Sequence, residues 1–332
     1  MLTPPGDLPD DVLSSALARG WEVSAASTAY RPVGFGSHHW EVVDTAGTRW
    51  FVTVDELDAK RHSWREPLDV AYGRLRASLA TARGLRDHGY GFVVAPVPAG
   101  DDEPLSRLGD RYAIALYPFL AGQSFQWGEF STPAHRRAVL DLVVALHTAP
   151  PGAYRPAMAD DAGIPYRDEL EATLDGNGDG DTSDLGPYAR PTARLLAEHA
   201  APVRRLLARY DDLAAQARAQ PDRAVLTHGE PHPGNTMRTP DGWQLIDWDT
   251  ALVAQPERDL WSLDPGDGSA LDAYAGATGV TPQPSMLELF AIRWDLADIA
   301  VSVHGFRRPH TGTPNDDEYF DILRDLLPRI AG

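Results

Sequence analysis

The chain has no cysteine, and Lys60 is its only lysine among 30 basic side chains. The first absence excludes disulfides, thiolate metal sites and cysteine nucleophiles. The second leaves arginine to supply every other fixed positive charge. Positive charge is scarce overall, since 48 acidic residues stand against those 30 and give a formal net charge of −18. Nucleic-acid binding depends on neutralising phosphates with Lys and Arg, so no nucleic-acid partner is expected. The charge suits a cationic small substrate, and it suits a generally acidic, solubilising surface equally well. No run approaches the roughly 18 consecutive apolar residues of a membrane span. The start, Met1-Leu2-Thr3-Pro4-Pro5-Gly6-Asp7, lacks the basic-then-apolar layout of a signal peptide. These features lead us to expect a cytoplasmic protein with no membrane partner. No internal repeat, heptad run or low-complexity tract is visible.

What is present is a globular chain of 332 residues, 43% hydrophobic with nine tryptophans, long enough for two lobes with separate cores. Its most informative stretch runs from Val225 to Asp249. Short apolar runs, Val225 to Thr227 and Gln244 to Ile246, predict two strands bracketing a Gly/Pro-rich turn in a hairpin-like unit. His228, Glu230, His232 and Asn235 precede the second strand, and Asp247 and Asp249 follow it. Oxygen ligands converging in this way suit a hard cation such as Mg²⁺, usually held by one or two carboxylates plus substrate phosphates.

The stretch resembles the catalytic segment of aminoglycoside phosphotransferases and related small-molecule kinases, with a general look nearest the spectinomycin phosphotransferase branch. That family's pattern is His-Gly-Asp-x-His-x-x-Asn followed by an Ile-Asp-x-Asp/Glu strand end. Here it reads His228-Gly229-Glu230-Pro231-His232-Pro233-Gly234-Asn235, then Ile246-Asp247-Trp248-Asp249. The resemblance implies a two-lobed, protein-kinase-like α+β fold. A small antiparallel-sheet lobe at residues 1–117 would bind nucleotide, and a larger, mainly helical lobe at 118–332 would carry catalysis and the acceptor. It further implies Glu230 as the base, one methylene longer than the family's aspartate, with Asp249 as a helper. Asn235 and Asp247 would be the metal ligands, His228 a buried scaffold, and Asp259 a residue holding the catalytic loop in shape.

The remaining parts fall into the same frame. Asp10 to Arg19 predicts an amphipathic helix. Gly34-Phe35-Gly36-Ser37 forms a turn between two apparent strands, and the resemblance makes Gly34, Gly36 and Ser37 the nucleotide-covering loop. The strand Trp50 to Val54 carries Thr53 where the family places a phosphate-binding lysine. Lys60 is the substitute by charge, with Arg61 and Arg65 as rivals. Seven extended residues would carry Lys60 ~23 Å away, so Leu57 to Ala59 must turn back for it to help. A helix is predicted from Glu66 to His88, in which Glu66 and Asp69 lack an assured partner. Strands are predicted at Val93 to Val97 and Tyr112 to Tyr117. The hinge near 117–122 then gives Tyr117, Phe119 and Leu120 to base recognition by resemblance.

Ser131-Thr132-Pro133 is a helix start, leading to a helix that ends at His147, read as structural. Asp175 to Gly186 imitates the opening of a calcium-binding EF-hand loop, but Gly186 stands where a bidentate glutamate is required, so an acidic loop is the better reading. Helices are expected over Glu198 to Ala219 and Met286 to His304. Glu288, Asp295 and Asp298 of the latter would bind an amine-bearing acceptor or form a solvated face. The expected activity is Mg²⁺-dependent transfer of the terminal phosphoryl group of ATP or GTP to a hydroxyl of a small, cationic acceptor such as an aminoglycoside or aminocyclitol. Thr53 and Glu230 leave open a kinase-shaped binding protein with little transfer activity, and a kinase for another metabolite differs only in its acceptor.

Overall fold

The computed structural model describes residues 1–176 and 184–331. The centre of the calcium-loop-like tract, 177–183, therefore lies outside the described residues. From the amino terminus, helix α1 (Asp10–Trp21) precedes strands β1 (Ala25–Arg31), β2 (His38–Asp44) and β3 (Arg49–Glu56). Helix α2 (Leu68–Asp87), strands β4 (Ser106–Leu108), β5 (Tyr112–Pro118) and β6 (Gln123–Ser124) and helix α3 (Pro133–His147) follow. Next come helices α4 (Arg167–Leu174), α5 (Ala189–Glu198) and α6 (Ala200–Arg218), then strands β7 (Val225–Thr227), β8 (Thr236–Thr239), β9 (Gly242–Leu245) and β10 (Leu252–Ala254). Helices α7 (Glu257–Leu260), α8 (Ser269–Thr278), α9 (Pro284–Phe306) and α10 (Pro314–Ala331) complete the order.

Two compact units emerge. The first comprises Met1–Lys60, Leu68–Asp160 and Asp222–Leu287, and the second Arg61–Pro67, Asp161–Pro221 and Glu288–Gly332. The first unit is built on an antiparallel sheet of order β1-β2-β3-β5-β4. Alternation along its strands separates two faces. Trp40, Val42, Val52, Val54, Ile114 and Leu116 pack with Leu13 and Leu17 of α1. Ala113 and Ala115, which point the other way, pack with Leu75 and Leu79 of α2. On this second face His39 stands opposite Thr53 and Phe51 opposite Tyr117, so the sheet presents polar and aromatic groups beside α2.

Two strand expectations and one helix boundary change. Val93 to Val97 is not a strand: Val93 makes an isolated parallel bridge to Leu245, and Val97 bonds the Leu116 carbonyl at 2.7 Å. Pro96 and Pro98 remove the donors a ladder would need. The strands bracketing the motif do not pair with each other as a hairpin. β7 pairs with β10, whereas β9 pairs with β8 across the Pro240-Asp241 turn, in a sheet that also takes β6. The helix expected over Glu198 to Ala219 is α6, which starts at Ala200, because Glu198 ends α5 and His199 separates the two. The start of α3 is as expected, with the Thr132 side chain accepting from the His135 amide.

The second unit contains α4, α5, α6, α10 and most of α9. The acids of α9 have arginine partners here: Glu288 holds Arg209 through two bonds, and Asp295 holds Arg329 at 3.0 Å. Those two carboxylates are thus already matched, which favours a surface ion-pair role over an amine-binding wall. Glu169 is held more deeply. Burial would raise its carboxyl, but His304 and Arg308, both at 3.1 Å, bring it down to about 2. A depressed carboxyl contributes stability above its unfolded value near 4.5 and loses it as pH falls towards 2. Replacing Glu169 by Gln should therefore lower the urea midpoint at pH 7 and narrow its gap from wild type as pH drops from 4.5 to 2. A gap constant across that window would contradict the assignment.

Candidate active site

The catalytic segment is shaped from behind. Gly229 takes a φ of +102°, and a Cβ there would sit 2.5 Å from the Arg258 guanidinium, so glycine alone fits. Asp259, fully buried at the start of α7, accepts the His228 amide at 2.8 Å and the Gly229 amide at 2.6 Å. His147, at the end of α3, reaches the same carboxylate at 3.1 Å and the Tyr274 hydroxyl at 2.9 Å. Burial opposes the charge on Asp259, yet the bond and charge of His147 keep its carboxyl below the ordinary range. Asp259 thus occupies the shape-holding position expected of it, and His147 proves to be its partner.

The two motif halves are tied by backbone and ring. Ile246 donates its amide to the Asn235 carbonyl at 3.0 Å, and the His228 ring donates Nε2–H to the Ile246 carbonyl at 2.9 Å. With Nε2 protonated, Nδ1 is left to accept the Glu230 amide at 3.3 Å. Burial pushes His228 below the ordinary imidazole value, which agrees with a neutral ring. Asn235 donates Nδ2 to the Glu230 carbonyl at 3.0 Å and lies 3.3 Å from His232 Nε2, which leaves its amide oxygen for another partner. His232 Nε2 is also 3.6 Å from Glu230 Oε2. Sequence reasoning gave His232 no role, although its place inside the motif was the available signal.

Asp247 follows with φ +65°, a left-handed conformation unusual for a residue with a Cβ. Its surface is accessible, yet protein atoms crowd it. That crowding, together with the charges of Asp249 and Glu230, drives its carboxyl well above the usual range. Lys60 answers part of this charge. Its ammonium lies 2.7 Å from Asp249 and 3.0 Å from Asp55. The chain does turn back, since Ala59 bonds the Glu56 carbonyl and Lys60 the Leu57 carbonyl. Arg61 and Arg65 fall in the other unit, where Arg61 bonds the Trp64 carbonyl and Arg65 lies over the Trp64 ring.

The glycine turn stands over Lys60, because a Cβ on Gly36 would come within 3.8 Å of Nζ. Gly34 and Gly36 have φ of +68° and +80°. Ser37 is buried and donates its hydroxyl to Asp55 at 2.6 Å. His39 holds the turn by donating Nδ1–H to the Val33 carbonyl at 2.9 Å, and it stacks on Phe51. Burial brings His39 down to about 4, so the ring is neutral near pH 7.

Thr53 bonds the Tyr117 side chain, whose hydroxyl is pushed up by burial and by Asp55, Asp247 and Asp249. Phe119 carries the Arg49 guanidinium over its ring at 3.6 Å and gives its amide to the Arg49 carbonyl. Strand alternation then turns the Pro118 carbonyl towards the opposite edge, the one on which Leu116 meets Val97. Leu120 is partly buried just beyond. Of the two acids without an assured partner, Asp69 pairs with Arg107 and Glu66 accepts the His62 amide at 2.9 Å.

Among the described residues, no three His, Asp or Glu side chains form a self-sufficient metal cage. The donor set still fits a hard dication. Asp247 is an accessible carboxylate in a surplus of negative charge, and Asn235 has a spare oxygen, so phosphate oxygens would complete the coordination.

Residues 29–289 match the model of the phosphotransferase enzyme family, and the chain belongs to that family: it is a small-molecule phosphotransferase. Protein StrN of Streptomyces griseus is 31% identical over 261 residues, which cover 75% of each chain. The kinase-like fold is shared with spectinomycin phosphotransferase solved with ADP and spectinomycin, at a TM-score of 0.71, 14% identity and 98% coverage of each chain. It is shared as well with a microcompartment-associated aminopropanol kinase, at a TM-score of 0.60, 15% identity and 97% coverage of each.

The scaffold yields a direct expectation. Asp259→Asn keeps the size of the side chain but removes one acceptor and the charge that faces His147. It should cost about 1–3 kcal/mol for each buried donor left unsatisfied. Urea unfolding measures this, and an unchanged midpoint would contradict the scaffold role.

Proposed function

We propose that the protein moves the terminal phosphoryl group of ATP or GTP to a hydroxyl of a small, amine-bearing acceptor of the aminoglycoside or aminocyclitol kind, in the cytoplasm. The supporting observation is the joining of the two motif halves through Ile246, which brings Asn235 and Asp247 into one neighbourhood with Glu230 and Asp249. Residues 1–117 would carry most of the nucleotide contacts and 118–332 the catalytic and acceptor groups. The nucleotide's purine ring would lie along the Tyr117–Leu120 edge, where the Pro118 carbonyl is turned outward. The phosphates would lie under Gly34, Gly36 and Ser37, beside Thr53 and Lys60.

Asn235 and Asp247 would hold Mg²⁺, which when bound offsets charge on the transferring group. The Glu230 carboxylate takes the proton of the acceptor hydroxyl as its oxygen bonds to the terminal phosphorus. The bond from that phosphorus to the bridging oxygen breaks, and the nucleoside diphosphate departs. Asp249 keeps Lys60 in place beside this centre.

Overall negative charge and Trp127 favour a cationic acceptor. The Trp127 indole is 69% exposed, its backbone nitrogen lies against Gly234, and its ring meets that of His232 edge-on at 6.4 Å. An exposed indole one ring from the base offers a face to an ammonium or a sugar ring.

Incubation with Mg²⁺, ATP or GTP and a panel of aminoglycosides, aminocyclitols and simple amino alcohols, followed by acceptor mass, tests the reading. One added phosphoryl group on any member, abolished by Asp247→Ala, supports it. Nucleotide binding without turnover across the panel would favour a binding protein. Glu230→Gln should keep nucleotide affinity and lower turnover by ~10²–10⁴-fold; near-wild-type turnover would remove Glu230 from the mechanism. Trp127→Ala should raise the acceptor KM roughly 5- to 30-fold with nucleotide KM unchanged, and equal effects on both substrates would count against an acceptor contact.

A further inference from the structure

Thr53 leaves the sheet without a cation at the position where the family's lysine would stand, and the chain has only one lysine with which to compensate. Lys60 arrives from the turn that follows β3. Three observations locate it. Nζ lies 2.7 Å from Asp249 Oδ2 and 3.0 Å from Asp55 Oδ1, and Gly36 of the glycine turn stands directly over it. The same Asp55 oxygen accepts the Ser37 hydroxyl at 2.6 Å, so one buried carboxylate grips both the ammonium and the turn above it. Asp55 lies two residues beyond Thr53 on the same strand face. The helix acid Asp69 is paired with Arg107 and takes no part in this arrangement.

We propose that Asp55 is a positioning residue that relocates the phosphate-binding cation: it fixes Lys60 beneath the glycine turn and locks the turn to it through Ser37. The inference rests on the phosphotransferase reading and adds to it the Ser37–Asp55–Lys60 unit. The geometry accounts for a buried aspartate that Lys60 bridges to Asp249. It also makes the turn and the cation a single mechanical element, since displacing Ser37 loosens the carboxylate that aims Lys60. A lysine restored at position 53 should do the work of Lys60.

The test is calorimetric binding of Mg·ATP and of a non-hydrolysable ATP analogue to the full chain, with thermal unfolding of each variant as the folding control. Lys60→Ala should weaken binding roughly 10- to 100-fold, the loss expected for hydrogen bonds to a charged group. Asp55→Asn should weaken it severalfold, and the Asp55→Asn/Lys60→Ala double variant should bind no more weakly than Lys60→Ala alone, because both act through one contact. Adding Thr53→Lys to Lys60→Ala should recover most of the loss. Ser37→Ala, a milder change, should show a smaller loss in wild type and a smaller one again in the Lys60→Ala background.

Wild-type affinity in Lys60→Ala, strictly additive losses in the double variant, or a folded Thr53→Lys/Lys60→Ala protein that binds no better than Lys60→Ala would each overturn the proposal. Absence of Mg·ATP binding by the wild-type chain would instead overturn the phosphotransferase reading beneath it. The two failures are therefore distinguishable.

Discussion

One ammonium stands against a crowd of carboxylates. Asp249, Asp55 and Asp247 all act on Lys60 and hold it charged far beyond the ordinary lysine range, despite the burial that opposes its charge. In return Lys60 lowers Asp249, whose burial alone would raise it. Asp247, without that close contact, carries the remaining repulsion from Asp249 and Glu230. Electrostatics of this kind would suit a protein that receives a metal and a polyphosphate together, because a dication would offset the carboxylates and the ammonium would meet the phosphates. They would be a liability in a protein with neither to bind.

That charge arrangement depends on a rigid backing. The loop carrying Glu230 and Asn235 is too polar to be fixed by hydrophobic packing, so its amides need internal partners. Asp259 of α7 supplies them, and His147 of α3 with Tyr274 of α8 holds Asp259. Three helices distant in sequence thereby converge on two backbone amides. Thr250 adds a bond to the His228 carbonyl, and Arg258 bridges Thr227 and Thr250. The Trp248 ring meets His228 edge-on and closes the inner side.

The sequence carried the motif, the strand Val225–Thr227, the helix starting at Pro133 and the glycine turn plainly, because each rests on local chemistry: a cap, a breaker or a fixed spacing. What it hid was pairing. Val225–Thr227 and Gln244–Ile246 look like partners by proximity, but β8 between them takes β9 (Gly242–Leu245), and the distant β10 takes β7. Asp55 was illegible for the same reason, since nothing in Val54-Asp55-Glu56 says that a turn will return Lys60 to it. The roles of His39 and His232 depend likewise on neighbours distant from them or met only in the fold, the Val33 carbonyl and Phe51 ring for His39 and the Glu230 carboxylate for His232. The acids of α9 showed a helical stripe, while the arginines that pair with them come from α6 and α10.

Because the chain contains a single lysine, the centre of this account can be observed in isolation. Lysine labelled with ¹³C at Cε gives one side-chain resonance, that of Lys60. It should stay in its charged form beyond the usual lysine titration near 10.5 and shift when Mg·ATP is added at pH 7. A resonance that titrates as a free lysine does and ignores Mg·ATP would contradict the account at its base.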